Sequence, residues 1–207
     1  MRCFIIGNGT SLNETNLNQI AGQPSIACNR INLMYPRTRW RPTIYVHPES
    51  LAPDLPYIVE NVDSGIPCYI GEHYQLPPAD NIVWIKECHH HLLNFDNPDL
   101  PDEWHFPQLC SFGGSVNIAM QIAVQHGYDD LVLLGCDLLY KTRNRSHFDP
   151  AYEHGGENPP FIQARNAFYG HVQALNYIRR KHLNVRVRNA TPGGMLELWE
   201  RMDFVDV

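Results

Sequence analysis

The sequence predicts an open α/β fold, with a mostly parallel sheet and helices on both faces, in a single domain that spans residues 1–207. Short apolar runs that suit strands buried on both sides alternate with segments of helical periodicity. The first apolar run also leads directly into a glycine-rich turn, as expected where a strand meets a ligand. A chain of 207 residues that is 43% hydrophobic can bury one sizeable core.

Apolar runs predict the strands, in chain order, at residues 2–6, 25–28, 43–46, 67–70, 82–85, 131–135 and 185–188. Apolar residues at every third or fourth position predict two helices. The first follows Gly113, Gly114 and Ser115 and stops at Gly127, and the second extends over residues 161–182. Stretches rich in proline and histidine predict irregular loops at about residues 47–80 and 141–160.

The segment after the first strand, Gly7-Asn8-Gly9-Thr10-Ser11-Leu12, is the most informative part of the sequence. Glycines let an anion approach the main chain, and a following helix offers unpaired N–H groups and a positive dipole end. Ser11 and Glu14 have the spacing of a capping box, which predicts a helix start here. The segment therefore predicts a phosphate-binding turn, although a lone Gly-x-Gly does not identify the ligand.

Ligands of open parallel sheets bind at the carboxyl ends of the strands, and this rule selects the candidate binding residues. Each candidate also has a structural alternative, because an asparagine can turn the chain, a serine can cap a helix and an aspartate can hold a loop. The candidates are Gly7, Asn8, Gly9, Thr10, Ser11, Asn29, Arg30, His47, Gly114, Ser115, Asp137 and Tyr140.

Charge restricts the class of partner. A formal net charge of −6 argues against a nonspecific nucleic-acid binder. Arginines nevertheless cluster at positions 30, 37, 39 and 41 and at positions 143 and 145. Such clusters are usually solvated surface, but they leave open a small anionic ligand or peripheral association with acidic headgroups at the inner face of a membrane.

The cysteines predict a reducing compartment. Six of them are spread singly along the chain without a C-x-x-C pair, as expected of reduced core residues. Neither a secretory signal nor an apolar run of ~20 residues is visible, so we expect a cytoplasmic protein. His89, His90 and His91 point in different directions if they continue a strand or a helix, so we predict no metal site.

Five segments, taken in order, resemble one group of proteins. They are Gly-Asn-Gly-Thr-Ser-Leu (7–12), Cys-Asn-Arg (28–30), Tyr-Val-His-Pro (45–48), Gly-Gly-Ser (113–115) and the run 126–137. Together they resemble the bacterial sialyltransferases of glycosyltransferase family 42 and their relatives of the DUF115 and motility-accessory-factor type. The run 189–196 resembles the end of the DUF115-type proteins.

The resemblance implies a Rossmann-like fold that transfers a sugar from a donor activated by cytidine monophosphate (CMP) to a glycan acceptor, without a metal or other cofactor. Related transferases form symmetric assemblies, so a homo-oligomer stays open. Asn8 and Gly9 match residues at the nucleotide phosphate, and Asn29 matches an asparagine of the nucleotide pocket. Ser115 matches a serine near the donor sugar, and His47 stands where these enzymes have an asparagine.

The catalytic residues of the family match less closely. Tyr140 lies one residue beyond the tyrosine that contacts the phosphate, and Leu139 occupies that tyrosine's position. The general base of the family is a histidine shortly before the long C-terminal helix. In this sequence Asn166 occupies the matching position. Because an asparagine side chain cannot accept the proton, the base is expected elsewhere.

Histidine remains the side chain of choice for the base, because a pKa near ~6.5 suits proton transfer at neutral pH. The candidates are His147 and His154, in the loop 141–160, and His171, in the second predicted helix. We prefer His154 because the neighbouring carboxylate of Glu153 favours the protonated form of the ring.

Two other functions stay open. A Mg²⁺-dependent diphosphokinase of the DUF115 or pterin type would use Asp137 as a metal ligand. A noncatalytic protein that binds nucleotide sugars or surface glycans would agree with the missing base. Dependence of the activity on Mg²⁺ would distinguish the diphosphokinase from the transferase. Turnover would distinguish the transferase from the noncatalytic binding protein.

Overall fold

The computed structural model describes residues 1–48, 52–88, 108–110, 114–139, 146–152, 160–181 and 183–206. Within these residues nine strands form one sheet, and every neighbouring pair is parallel. The order across the sheet is β6-β5-β4-β3-β2-β1-β7-β8-β9. The strands are β1 Arg2–Ile6, β2 Ser25–Cys28, β3 Ile44–His47, β4 Cys68–Gly71, β5 Ile82–Cys88, β6 Gln108–Cys110, β7 Asp130–Leu134, β8 Arg186–Asn189 and β9 Glu200–Arg201.

Every predicted strand forms, and the predicted open parallel α/β fold is confirmed. The strands β6 and β9 are additional. They contain only three and two residues, which is too short for a run or an alternation to show in the sequence.

Three α-helices accompany the sheet in the described residues: α1 Leu55–Asp63, α2 Ser115–Gln125 and α3 Pro160–Arg180. The sequence predicts α2 and α3. It predicts irregular loops where α1 lies, and this expectation is wrong. Pro56 stands in the first turn of α1, where its missing N–H costs nothing, so a residue typical of loops here starts a helix.

The chain after β1 forms 3₁₀ turns over Thr10–Glu14, Leu17–Ile20 and Ile31–Arg37. The predicted capping box is wrong. The first 3₁₀ segment starts at Thr10, after Gly9, and no side chain caps it. Ser11 is therefore already inside the turn, and its N–H has another acceptor, described below.

Both faces of the sheet are covered. In β1, Cys3 and Ile5 pack in the cluster that contains apolar residues of α2 and α3. Phe4 and Ile6 point to the opposite face and pack with the 3₁₀ turns and with Ile58 of α1. Burial on both faces explains why the strands appear in the sequence as continuous apolar runs.

The described cysteine side chains agree with the reduced state expected from their spacing, because Cys3, Cys28, Cys68 and Cys136 are buried free thiols. Burial raises the pKa of Cys136 to about 12, so this thiol stays neutral. None of the helices in the described residues is long and apolar enough to cross a membrane.

His171, a candidate base, lies in the core rather than at the carboxyl ends of the strands. It is 2% exposed, and its Nδ1 accepts a hydrogen bond of 3.2 Å from the indole N–H of Trp199. Burial lowers the pKa of His171 from 6.5 to about 4, because the charged ring would lose its hydration. A buried, neutral histidine of α3 that is hydrogen-bonded to Trp199 has a structural role, so His171 is excluded as the base.

We expect His171 to make the folded state sensitive to acid. Between pH 6.5 and about 4 the unfolded chain binds a proton at His171 that the folded protein does not bind, so stability falls with pH. The contribution is about 1.4 kcal/mol per pH unit. His171→Gln keeps an acceptor for Trp199 and should flatten the dependence of the free energy of unfolding on pH, measured by urea denaturation. The exposed His73, replaced by Gln, is the control, and parallel curves for wild type and His171→Gln would contradict the assignment.

Candidate functional site

The candidate site lies where the direction of the chain across the sheet reverses. From β1 the chain builds the sheet outward through β2 to β6, and β7 then pairs with the other side of β1. The connections after β1 and β7 therefore run to opposite sides, which opens a crevice at their carboxyl ends. We call residues Gly7–Ser11 the β1 turn and residues Gly135–Asp137 the β7 turn.

The two turns are tied together by main-chain N–H groups of the β1 turn. The N–H of Gly7 donates to the carbonyl of Leu134 and that of Gly9 to Gly135, each at 2.8 Å. The N–H of Ser11 donates to Oδ1 of Asp137 at 3.2 Å. The carboxylate of Asp137 thus accepts an N–H group at the start of the 3₁₀ turn, where the sequence predicts a capping box.

Glycine is required at two positions of the β1 turn for contact with the protein itself. A methyl group on Gly7 would lie 2.5 Å from the carbonyl oxygen of Gly135. A methyl group on Gly9 would overlap the carboxylate of Asp137. The glycines therefore permit the two turns to touch, and this contact faces away from the side on which a ligand can approach.

Two N–H groups of the β1 turn remain for a ligand. Those of Asn8 and Thr10 donate to no acceptor among the residues that the structure describes. The N–H groups of Gly7 and Gly9 point to β7, whereas the side chain of Asn8, which lies between them in the chain, reaches the end of β2.

Only one of the two polar atoms of the Asn8 side chain has a hydrogen-bond partner among the described residues. Its Nδ2 donates to the carbonyl of Cys28, at the end of β2, at 3.1 Å. Its Oδ1 is buried and has no hydrogen-bond partner among the described residues. An unpaired buried carbonyl of this kind costs free energy, so it marks a place where a ligand donor would be stabilising.

Asn29 and Ser115, predicted to meet at the same edge, are in contact. Asn29 has φ of 54°, a left-handed conformation that asparagine tolerates better than most residues. The hydroxyl of Ser115 donates to Oδ1 of Asn29 at 3.2 Å. Ser115 begins α2 directly after Gly114, and no side chain caps this helix end. The N-terminus of α2 therefore lies next to Asn29 with its positive dipole end uncapped.

Asp137 is 4% exposed and lies between the β1 turn and the C-terminal part of the chain. Burial raises the pKa of its carboxyl group above the ordinary value, and the hydrogen bonds from Ser11 offset this only in part. The carbonyl of Asp137 accepts the N–H of Met195 at 2.7 Å, and Thr191 Oγ1 accepts the N–H of Cys136 at 3.1 Å. Asp137 is thus fixed by its neighbours on both sides.

Arg30 and His47 are both buried, and a third residue connects them. Arg30 is 2% exposed and donates through Nε and Nη2 to Oδ1 of Asp54, at 2.7 and 2.6 Å. His47 is fully buried, and its Nε2 lies 2.9 Å from Oδ2 of Asp54. Burial alone would raise the pKa of Asp54, but the hydrogen bonds from His47 and Arg30 outweigh it and lower that pKa. Both side chains are thus held inside the protein by the carboxylate of Asp54.

Asp54 is the residue of this network that no pattern in the sequence singles out as functional. It lies in the 3₁₀ turn Ala52–Asp54 that precedes α1, outside every strand end. The only signal in the sequence is an acidic residue directly before Leu55 and Pro56, which is a common helix start. The spacing of residues in the sequence does not show that Asp54 contacts Arg30 and His47.

Two of the three other arginines near position 30 contact neighbouring groups of the protein. Arg37 is paired with Asp149 and donates to Oδ1 of Asn13 at 2.9 Å. Arg41 lies 4.2 Å from the centre of the Tyr35 ring and donates to two main-chain carbonyls. Arg37 and Arg41 are thus paired or packed within the protein, although these two residues and Arg39 are all exposed.

Residues 146–152, which we call the cover segment, lie against the β1 turn. The N–H of Phe148 donates to the carbonyl of Asn8 at 3.0 Å, and its carbonyl accepts Nδ2 of Asn13 at 2.8 Å. The ring of His147 stacks on that of Tyr152, with centres 3.9 Å apart and planes inclined by 16°. One candidate base, His147, is thus adjacent in the chain to a residue that touches the β1 turn. Tyr140, His154 and the run 89–91 lie outside the described residues.

Metal ligands do not gather in the described part of the chain. There, no group of three or more His, Cys, Asp or Glu side chains is arranged to hold an ion. The carboxylate of Asp137, the expected ligand of the diphosphokinase alternative, accepts the N–H of Ser11 with Oδ1 at 3.2 Å and with Oδ2 at 3.4 Å.

The fold has a counterpart among solved structures. It is similar to a MAf glycosyltransferase from Magnetospirillum magneticum AMB-1, with a TM-score of 0.57 and 16% sequence identity. The match covers 97% of this chain and 33% of that protein, so the chain spans about one third of its length. No family model matches the chain, and no curated protein does so either.

The contact between the two turns predicts a strict requirement at Gly9. Gly9→Ala places a methyl group on the Asp137 carboxylate and 2.7 Å from the carbonyl of Gly135, so the two turns must separate. We expect a loss of about 3 kcal/mol or more in the free energy of unfolding, the upper range for overpacking. Gly22→Ala, where a methyl group meets nothing within 4 Å, is the control and should cost about 1 kcal/mol for its positive φ. Equal losses in the two variants, measured by denaturant unfolding, would show that the turns are not in contact.

Proposed function

We propose that the chain is a glycosyltransferase domain that uses a CMP-activated sugar as donor and a glycan as acceptor. The likeness of fold to a MAf glycosyltransferase supports the general class. The segments that resemble sialyltransferases support a CMP-sugar as the donor. The observation that carries the proposal is the unpaired Oδ1 of Asn8 beside the free N–H groups of Asn8 and Thr10.

The number of free donors suits a single phosphate. Three of the N–H groups of the β1 turn are used within the protein, at Gly7, Gly9 and Ser11. The two that remain, together with the uncapped N-terminus of α2, favour an anion with one phosphate over a long polyphosphate. A nucleoside monophosphate linked to a sugar has this chemistry.

The roles of the surrounding residues follow from their contacts. Asn8 and Asn29 would offer amide groups to the nucleotide, and Ser115 would hold the donor at the start of α2. Arg30 and His47, two of the predicted ligand contacts, would support the site through their contacts with Asp54.

In the proposed reaction the acceptor hydroxyl attacks the anomeric carbon of the donor sugar. The new carbon–oxygen bond forms as the bond from the sugar to the CMP phosphate breaks, and both electrons of that bond leave with CMP. The N–H groups of Asn8 and Thr10 and the N-terminus of α2 stabilise the negative charge on the leaving phosphate. A histidine takes the acceptor proton, and His147 and His154 are the candidates.

The proposal predicts selective stabilisation by CMP. CMP at about 100 times its dissociation constant adds about 2.7 kcal/mol of stability, which for a chain of this size raises the Tm by about 5–10 °C. Asn8→Ala should reduce the shift, and Asn184→Ala, at an exposed position before β8, should not. The measurement is a thermal-shift screen with CMP, cytidine triphosphate, UMP and ATP, each with and without Mg²⁺. A shift with ATP and Mg²⁺ but none with the cytidine nucleotides would reject this function in favour of the diphosphokinase.

Turnover identifies the base. We expect His147→Gln or His154→Gln to lower the rate of CMP release from a CMP-sugar by about 10²- to 10⁴-fold, the usual worth of a general base. The variant of the true base should keep the CMP-induced Tm shift, because the base acts on the acceptor. His73→Gln, on the exposed surface, is the control. CMP binding by the wild type with no CMP release from any CMP-sugar would indicate the noncatalytic binding protein.

A further inference from the structure

The buried side chain of Arg30 contacts both Asp54 and the cover segment, and it thereby joins two separate parts of the site. It follows Asn29 directly, at the end of β2, and two of its nitrogens donate to Oδ1 of Asp54. The desolvation of an arginine is costly, and charge-assisted hydrogen bonds to a carboxylate offset it. Because Asp54 also contacts His47, the guanidinium is fixed to the ends of β2 and β3.

The third nitrogen of Arg30 reaches the cover segment. Its Nη1 donates to the carbonyls of Ala151 and Tyr152, at 3.1 and 3.2 Å. Its guanidinium carbon also lies 5.8 Å from the centre of the Tyr152 ring, within the range of a cation–π contact. The planar group thus holds Asp54 with one edge and the cover segment with the other, which a lysine cannot reproduce.

Tyr152 in turn contacts His147. The imidazole of His147 is nearly parallel to the phenol ring, with centres 3.9 Å apart. Phe148, the next residue, donates its N–H to the carbonyl of Asn8. A continuous set of contacts therefore leads from Arg30 through Tyr152 to His147 and to the β1 turn.

We propose that Arg30 is a positioning residue that holds His147 beside the β1 turn by fixing Tyr152. The catalytic consequence rests on the proposed function, but the placement of the histidine does not. Without Arg30, the carbonyls of Ala151 and Tyr152 lose the donor Nη1, and Tyr152, on which the His147 ring stacks, loses a contact that fixes it.

The placement is tested by NMR of the His147 ring. In the wild type, the ring current of Tyr152 should shift the Hε1 signal of His147 upfield of an exposed histidine, and His147→Gln assigns the signal. In Arg30→Lys the signal should move most of the way to the exposed position. Arg41→Lys is a matched control, since Arg41 also lies over a tyrosine and donates to two carbonyls without reaching the cover segment. Its His147 signal should stay at the wild-type position.

A second variant covers the case in which Arg30→Lys does not fold. Arg30→Met combined with Asp54→Asn removes both charges, so no unpaired ion is left buried, and it still removes the donors to Ala151 and Tyr152. An unchanged His147 signal in a folded Arg30 variant would overturn the proposal. The same shift in Arg41→Lys would also overturn it, because the effect would then be general loosening.

Kinetics separate this proposal from the proposed function. If His147 is the base, Arg30→Lys should lower kcat for CMP release by about 10-fold or more, with the donor KM within about twofold, because a displaced group slows the reaction more than it weakens binding. An unchanged kcat in an enzyme whose His147→Gln variant is inactive would contradict the positioning role. If the wild type neither binds CMP nor releases it, the proposed function fails, and the NMR comparison still decides the position of His147.

Discussion

The turns that follow β1 and β7 lie in contact, and the geometry of the site depends on that contact. It requires the absence of side chains at Gly7 and Gly9 and the presence of a carboxylate at Asp137. The N–H groups that hold the turns together are not available to a ligand, so the same hydrogen bonds that close one side of β1 determine how many donors remain on the other. Packing within the protein therefore sets the number of main-chain donors that this end of the sheet leaves unused.

Much of the fold could be predicted because it is encoded in short stretches. A strand buried on both faces is a local apolar run, and α2 and α3 each show a clear helical stripe. The failures depend on partners distant in sequence. Ser11 does not cap the first turn, because Asp137, 126 residues away, takes its N–H. Arg30 looks like an anion contact until Asp54, 24 residues away, is placed beside it.

The candidate site could be predicted only in part, because topology brings residues together without showing which partners they bind. The rule that parallel strands end at one edge correctly brings Asn8, Asn29 and Ser115 together, because it needs only topology. The rule does not tell which polar groups at that edge face inward. His47 and Arg30 lie at the ends of neighbouring strands, yet both bind a single buried carboxylate, that of Asp54.

The central place of β1 in the sheet also has a consequence during synthesis. Its partner β2 follows within a few tens of residues, but its other neighbour, β7, pairs Arg2 with Asp130, 128 residues later. At about 5–20 residues per second, one edge of β1 stays unpaired for about ten seconds on the ribosome. Nascent chains and fragments that end before Leu134 therefore expose an apolar edge strand, which is a template for aggregation that the finished sheet no longer presents.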